Sequence, residues 1–270
     1  NSTTQEKLSQ DLGISKVLAQ ILINRGITDS TQVEKFINVS FKQMIDPFSF
    51  RDMAKVVERI NQAKEKREKV MVFGDYDVDG ITSVAILKNN LDKLGLNVDY
   101  YLPHRVKEGY GLPKNILKIA QEKKINLVIT ADCGTSNVRE VEDLKKHHID
   151  TIITDHHEPS VKELPQAVGI INPKVKDSAY PYRELAGVGV AYKLCQALTQ
   201  SRLLDELDLV TLGTIADVVP LTGENRVFVK EGLKVFAKTK RPGIKAMIEN
   251  AGIKNKKFTP TFVSFILGPR

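Results

Sequence analysis

The chain has 270 residues, 41% of them hydrophobic, a formal net charge of +7 and 2 cysteines. That length supports one large or two smaller packed domains. That hydrophobic content is ordinary for a soluble protein, and no apolar run reaches the span of a bilayer; the basic balance leaves room for an anionic partner.

The opening stretch NSTTQEKLSQ is polar, lacks Met and carries no signal-peptide pattern. A piece of a longer cytoplasmic protein is therefore expected, and Cys133 and Cys195, without a pairing pattern, fit a reducing compartment. Residues 1–68 read as a helical N-terminal segment expected to pack on the core. Val17, Leu18, Ile21 and Leu22 fall at helical spacing, as do Val33, Phe36 and Ile37. Asp29 and Ser30 supply a helix start, and Asp46-Pro47-Phe48 interrupts the pattern. A helix then resumes over 52–68 with Met53, Val56, Val57 and Ile60 on one face, and the run KEKREK over 64–69 reads as its solvated end.

From residue 70 the pattern changes to short apolar runs at 70–73, 98–102, 127–130, 151–154 and 168–171. Helical stretches at 83–94, 114–123 and 138–147 separate most of them. This alternation predicts an α/β fold, a parallel β-sheet with helices on both faces. After residue 171 the strands stop, and helices are predicted over 189–201, 204–216, 227–238, 242–251 and 260–267.

The first strand runs into GDYDVDG, which sets Asp75, Asp77 and Asp79 at alternate positions before Gly80. Three acids so close repel one another unless a cation lies between them, and a divalent metal is the usual answer. The same spacing opens a calcium-binding EF-hand, but that loop needs a preceding helix and a bidentate Glu at its twelfth position. Here a β-branched run precedes it and Ile86 stands at that position, so the EF-hand is excluded. Taken alone, the motif still allows a turn of merely solvated acids. The third strand, however, delivers Asp132 within ADCGTS, and the fourth delivers Asp155, His156 and His157. Ligands of an open parallel sheet bind outside the carboxyl ends of its strands. Acid and imidazole at three such ends predict a metal site. Carboxylates with imidazole and no thiolate cluster favour manganese or magnesium over structural zinc. Four or more acids can hold two ions, which in phosphoryl hydrolysis clamp the attacking and leaving oxygens. Cys133 is weighed as a soft ligand or nucleophile and assigned to packing. His147 and His148 are assigned to the surface; His104 is left between a site-lining and a surface role.

The series GDYDVDG (74–80), ADCG (131–134), DHH (155–157) and GTIADVVPL (213–221) resembles the motifs of the DHH phosphoesterase superfamily. LPHRVKEGYGL (102–112), INPK (171–174), LAGVGVAYKL (185–194) and FILGPR (265–270) are similar to its branch of single-strand-specific 5′-to-3′ exonucleases. The resemblance implies a DHH catalytic domain over 69–270, strand-rich over 69–175 and helical over 185–270. It implies hydrolysis of single-stranded DNA with two Mn2+ or Mg2+ ions, in recombination and repair. It further implies Asp77 as a ligand of the first ion, supported by Asp75, and Asp79, His156 and Asp217 as ligands of the second. Asp132 is implied to bridge the two, and His157 to contact the scissile phosphate. Asp155 is expected to orient a histidine rather than touch metal.

Further positions are candidate substrate contacts. Arg105 could pair with phosphate and Tyr110 stack on a base, against a surface salt bridge and a packed ring as the alternatives. Gly187 and Gly189 open a helix whose free N–H groups favour an anion, against a turn made for packing. Arg270 closes a GPR stretch similar to a family element near the nucleic-acid path. Family members normally continue into a second substrate-binding domain and usually an OB-fold, and neither is expected here. Other members of the superfamily hydrolyse short oligoribonucleotides, cyclic dinucleotides or pyrophosphate, and non-catalytic relatives serve as replication scaffolds. The N-terminal helices and the EGYGL (108–112) and GPR (268–270) stretches argue against the former, and the presence of every motif acid argues against the latter.

Overall fold

A computed structural model describes residues 2–252 and 258–270. The chain divides into two compact units, one ending at Met44 and the other beginning at Ile45. The smaller holds α1 (Ser2–Leu12), α2 (Lys16–Asn24) and α3 (Ser30–Ile37). The Ser15 hydroxyl caps α2 by accepting the Leu18 N–H, and the Asp29 carboxylate caps α3 by accepting the Gln32 N–H. Leu8, Ala19, Leu22 and Val33 form its small core, edged by Ile14, Ile23, Ile27 and Phe36. Of the apolar stripe expected on α2, only Leu22 is buried. The inward line of this short helix runs through Ala19, Leu22 and Ile23, which turns Val17 and Ile21 outward.

The larger unit begins ahead of the boundary expected at residue 68. Its α4 (Met53–Glu65) buries Met53, Val56, Ile60 and Ala63 and packs against the sheet's last strand. The sheet contains β1 (Lys69–Gly74), β2 (Asn97–Tyr101), β3 (Leu127–Ala131), β4 (Asp150–Thr154) and β5 (Gly169–Ile171). All pair parallel, in the order β2-β1-β3-β4-β5. On one face Met71, Phe73, Val128 and Ile153 pack with α6 (Ile116–Glu122) and α7 (Val138–Lys146). The alternate residues Val70, Val72, Ile129 and Ile152 are fully buried, and α5 (Val78–Lys93) and α8 (Gly187–Thr199) contact the sheet. Burial on both faces is why these strands read as continuous apolar runs.

Beyond the sheet, α8 and α9 (Leu207–Ala216) are buried on nearly every side, as helices apolar all round must be. α10 (Gly223–Phe236), α11 (Pro242–Asn250) and α12 (Pro260–Phe262) follow, the last widening into a π-type turn over Val263–Leu267. Among the described residues, no helix is long and apolar enough to cross a membrane.

Two helices start four or more residues earlier than their periodicity indicates. α5 begins at Val78, not at residue 83, because Asp77 caps it: its Oδ1 accepts the Gly80 N–H at 2.9 Å. Asp79 therefore sits in the first helical turn, not in an extended loop. Gly80 is required there because a Cβ would lie 2.5 Å from the Asp75 carbonyl oxygen. α10 begins at Gly223 because Glu224, an acid that looks like a surface residue, is buried against Lys193.

Candidate metal centre

The strand order reverses at β1, with β2 on one side and β3 on the other. The crevice at such a reversal, at the carboxyl ends of the strands, is where open α/β sheets bind ligands. The register aligns Gly74, Ala131, Thr154 and Ile171 as the last paired residues of β1, β3, β4 and β5. The ladder then continues one step: Asp75 N–H donates to Ala131, Asp132 N–H to Thr154 and Asp155 N–H to Ile171. Asp75, Asp132, Asp155 and Asn172 thus form a row across the sheet edge. Asp132 adopts φ +64°, a left-handed conformation uncommon outside glycine.

Two further groups complete the cluster. Asp77 and Asp79 come from the start of α5, and Asp217 ends α9, ahead of an exposed Val218 at φ +61°. For a β-branched residue that φ is a strained position. Ligand atoms of Asp75, Asp77 and Asp132 lie within 4.8 Å of one another, as do those of Asp79, His156 and Asp217. His156 Nε2 is 3.2 Å from Asp132 Oδ1, 3.6 Å from Asp217 Oδ2 and 3.8 Å from Asp79 Oδ2. The structure thus brings together the ligand sets expected for the two ions, with Asp132 beside both.

The electrostatics show how unfavourable this arrangement is without a cation. Burial, with the neighbouring Asp77 charge, pushes the Asp75 carboxyl up to about 6. Burial and the surrounding acids raise Asp132, Asp79 and Asp217 as well. Both oxygens of Asp132, both ring nitrogens of His156 and Oδ1 of Asp75 are buried with no hydrogen-bond partner among the described residues. Buried polar atoms are almost always paired, so these orphans at one point fit a divalent ion held by carboxylate and imidazole.

Asp155 behaves differently. Burial would raise it, but hydrogen bonds from His157 and Thr135 outweigh that and hold it below the usual carboxylate range. It accepts the backbone N–H groups of Thr135, His156 and His157, and lies 2.9 Å from His157 Nδ1. An ionised Asp155 places the hydrogen on Nδ1 and leaves Nε2 for another partner.

The remaining candidates are placed unevenly. The Tyr110 hydroxyl meets His157 Nδ1 at 2.9 Å. Arg105 is exposed and stacks over Tyr76, within the first acid motif, at 5.3 Å from the ring centre. The start of α8 does hold an anion, but it is Asp79: Gly187 and Val188 donate to it at 2.7 and 2.8 Å. The Gly187 N–H is therefore used within the chain rather than open to a substrate phosphate. A side chain at Gly189 would meet Leu185 and Phe228, so a packing reason for that glycine is present beside its expected role. The Arg270 guanidinium turns back onto the Ile266 carbonyl, although Gly268 and Pro269 line a 320 Å³ cleft with Asp77, Asp79 and Asp217. Cys133 is wholly buried in the core and its thiol is pushed up by burial, which leaves it a packing residue. His104 bonds within its own loop, at the surface.

Sequence spacing does not single out Thr135 or Asn172. Asn172 lies in the INPK stretch, and its place as the fourth member of the row follows from strand register, which only the sheet reveals.

A family model, DHH family, N-terminal domain, matches residues 69–214. The chain is 41% identical to the single-stranded-DNA-specific exonuclease RecJ of Bacillus subtilis strain 168, over 98% of this chain and 34% of that protein. A crystal structure of exonuclease RecJ bound to manganese superposes with a TM-score of 0.74 at 32% identity, over 84% of this chain and 58% of the other. A RecJ from Thermus thermophilus in complex with Mn2+ superposes at 0.80 and 26% identity, over 100% of this chain and 38% of the other. The chain spans between a third and a half of the length of the curated relatives it matches first. With its sheet, motif order and clustered acids, the chain belongs to the DHH family.

Proposed function

We propose that this chain is the catalytic core of a metal-dependent 5′-to-3′ exonuclease acting on single-stranded DNA, in recombination and repair, in the cytoplasm. The observation that carries the reading is the set of buried, unpartnered ligand atoms on Asp75, Asp132 and His156 at the strand-order reversal. Asp75, Asp77 and Asp132 would hold one Mn2+ or Mg2+, and Asp79, His156 and Asp217, with Asp132, a second. Bound there, such ions polarise phosphoryl oxygens and lower the pKa of water.

The chain's own residues do the rest. Asp155 fixes the His157 ring through Nδ1, so that Nε2 meets a phosphate oxygen and, when protonated, donates to it. Tyr110 braces the same ring from the open side of the site. Arg105, spread on Tyr76, supplies a planar cation at the rim suited to a phosphate. The relatives named RecJ exonucleases, and the RecJ structure bound to manganese, support the substrate and the metal.

The test is release of mononucleotides from 5′-labelled and 3′-labelled single-stranded DNA in Mn2+, with Asp132→Ala as the blank. Release from the 5′ end that the variant loses agrees with the proposal. Cleavage confined to short diesters, or full activity in the variant, would overturn the substrate or the site respectively.

A further inference from the structure

Beyond the metal ligands, the FILGPR stretch presents an aromatic ring to solvent. The turn over Val263–Leu267 packs against α9, and Val263 and Leu267 are wholly buried. Phe265, between them, is 73% exposed. Its ring meets no other aromatic ring among the described residues, whereas Phe262 lies edge-on against Phe258. Just past the end of α9, Val218 is 80% exposed and directly follows Asp217. Phe265 and Val218 line one groove of 230 Å³, together with Ile215, Val219, Leu221 and Pro260. No charged side chain lines this groove.

The groove adjoins the cleft of Asp77, Asp79 and Asp217. Ser264 lines both, and Ala216 and Asp217 of the cleft stand in the chain between Ile215 and Val218 of the groove. An acid-lined cleft repels the phosphates of a strand wherever ions do not neutralise it. A neutral wall at its side is suited to the part of a nucleotide that carries no charge, which is the base. The groove is smaller than the ~300–1,000 Å³ of sites for drug-sized ligands, which fits one planar ring system rather than a peptide helix. Aromatic side chains hold unpaired bases by stacking, whatever the base. The buried residues on either side fix the backbone at Phe265, so little freedom is lost when a base covers the ring. Val218 points the same way: at φ +61° its backbone is strained, and the strain holds an apolar side chain in water beside the site.

We propose that Phe265 stacks on a base of the bound strand beside the phosphate held at the metal centre, with Val218 at the edge of that base. Duplex DNA keeps its bases paired and stacked on one another, so this contact favours a single strand. The proposal rests on the reading of the site as a phosphodiesterase centre for single-stranded DNA.

The experiment uses the whole chain as wild type, Phe265→Ala and Phe265→Trp. KM and kcat are measured in Mn2+ on a 5′-phosphorylated oligothymidylate and on a strand of equal length with stable abasic units in place of its bases. For Phe265→Ala we expect KM on oligothymidylate to rise roughly tenfold and KM on the abasic strand to stay, with Phe265→Trp restoring most of the difference. Unchanged KM in Phe265→Ala overturns the proposal, as does an equal rise on both strands. So does a wild-type dimer that Phe265→Ala dissolves with KM unchanged, which gives the face to a second copy of the chain. The chain has no tryptophan, so Phe265→Trp places its single indole in the groove. Thymidine 5′-monophosphate in Mn2+ should quench that indole, and 2-deoxyribose 5-phosphate should not; equal signals remove the base from the groove. If the wild type cuts no strand, the single-strand reading falls by itself, and the quenching alone decides whether a base reaches this position.

Discussion

The Gly187 amide nitrogen lies 2.7 Å from Oδ2 of Asp79, so the start of α8 holds a carboxylate from the start of α5. Two helix N-termini meet at this acid, and their partial positive charge helps a buried anion survive there. On its other side the Gly187 Cα faces Asp132, where a Cβ would stand 2.3 Å from Oδ1. Gly187→Ala should therefore displace Asp132, lower Mn2+ affinity by on the order of tenfold to a hundredfold, and reduce hydrolysis in step. Calorimetric titration with Mn2+ checks this; unaltered affinity would show that the site tolerates the shift.

The raised acids give the metal-free protein a distinctive pH dependence. With Asp75 at about 6 and Asp79, Asp132 and Asp217 also raised, the folded chain holds more protons than the unfolded one above pH ~4. Its stability should therefore fall as pH rises through about 6, where Asp75 ionises in the folded state. Mn2+ at a hundred times its Kd should restore about 2.7 kcal/mol at neutral pH. Asp132→Asn, with one acid fewer, should be more stable than wild type without metal and gain little from Mn2+. Melting curves from mildly acidic to mildly basic pH, with EDTA or Mn2+, check both statements.

Asp155 has the opposite sign. Because its carboxyl is held below its ordinary 3.8, its contribution is complete above that value and is lost only as pH falls below it. Asp155→Asn replaces one of the two accepting oxygens with an NH2 set against a backbone N–H donor and should cost about 1–3 kcal/mol of stability at neutral pH. Hydrolysis should fall as well, since the His157 ring loses its anchor. Denaturant unfolding together with kcat on single-stranded DNA measures the two effects.

Away from the cleft, Lys193 and Glu224 form a wholly buried pair at 2.5 Å, with Lys193 also donating to the Ile45 carbonyl at 2.6 Å and Tyr180 donating to Glu224. Removing one partner leaves a buried charge unpaired. Lys193→Met should cost about 3–5 kcal/mol, and the added change Glu224→Gln should recover part of it. Chemical denaturation of the single and double variants gives the coupling.

Much of the architecture could be read from local pattern. The five apolar runs became five strands, with ends moved by a residue or so; in β1, β3 and β4 two-sided burial leaves little choice of residue, while the edge strand β2 has no fully buried position. The acid motifs were legible because like charges rarely crowd together without a purpose. Helix starts were less so: Asp77 reads as a ligand in a loop, and its second task as a cap appears only once Gly80 packs on Asp75. Glu224 hid the start of α10 in the same way, since a buried ion pair looks like a surface one until its partner is found.

Chemistry lay in the chain's order of residues: which side chains are acids and imidazoles, and which strands present them. Distance lay elsewhere. Asp75 and Asp217 are far apart along the chain, and only the reversal of strand order and the packing of α9 on α5 bring them to one cleft. The commitment of the Gly187 amide to Asp79, and the place of Asn172 in the row of acids, were likewise decided by register and helix packing. Side-chain type is a local property, but whether a donor is free depends on which other part of the chain reaches it first.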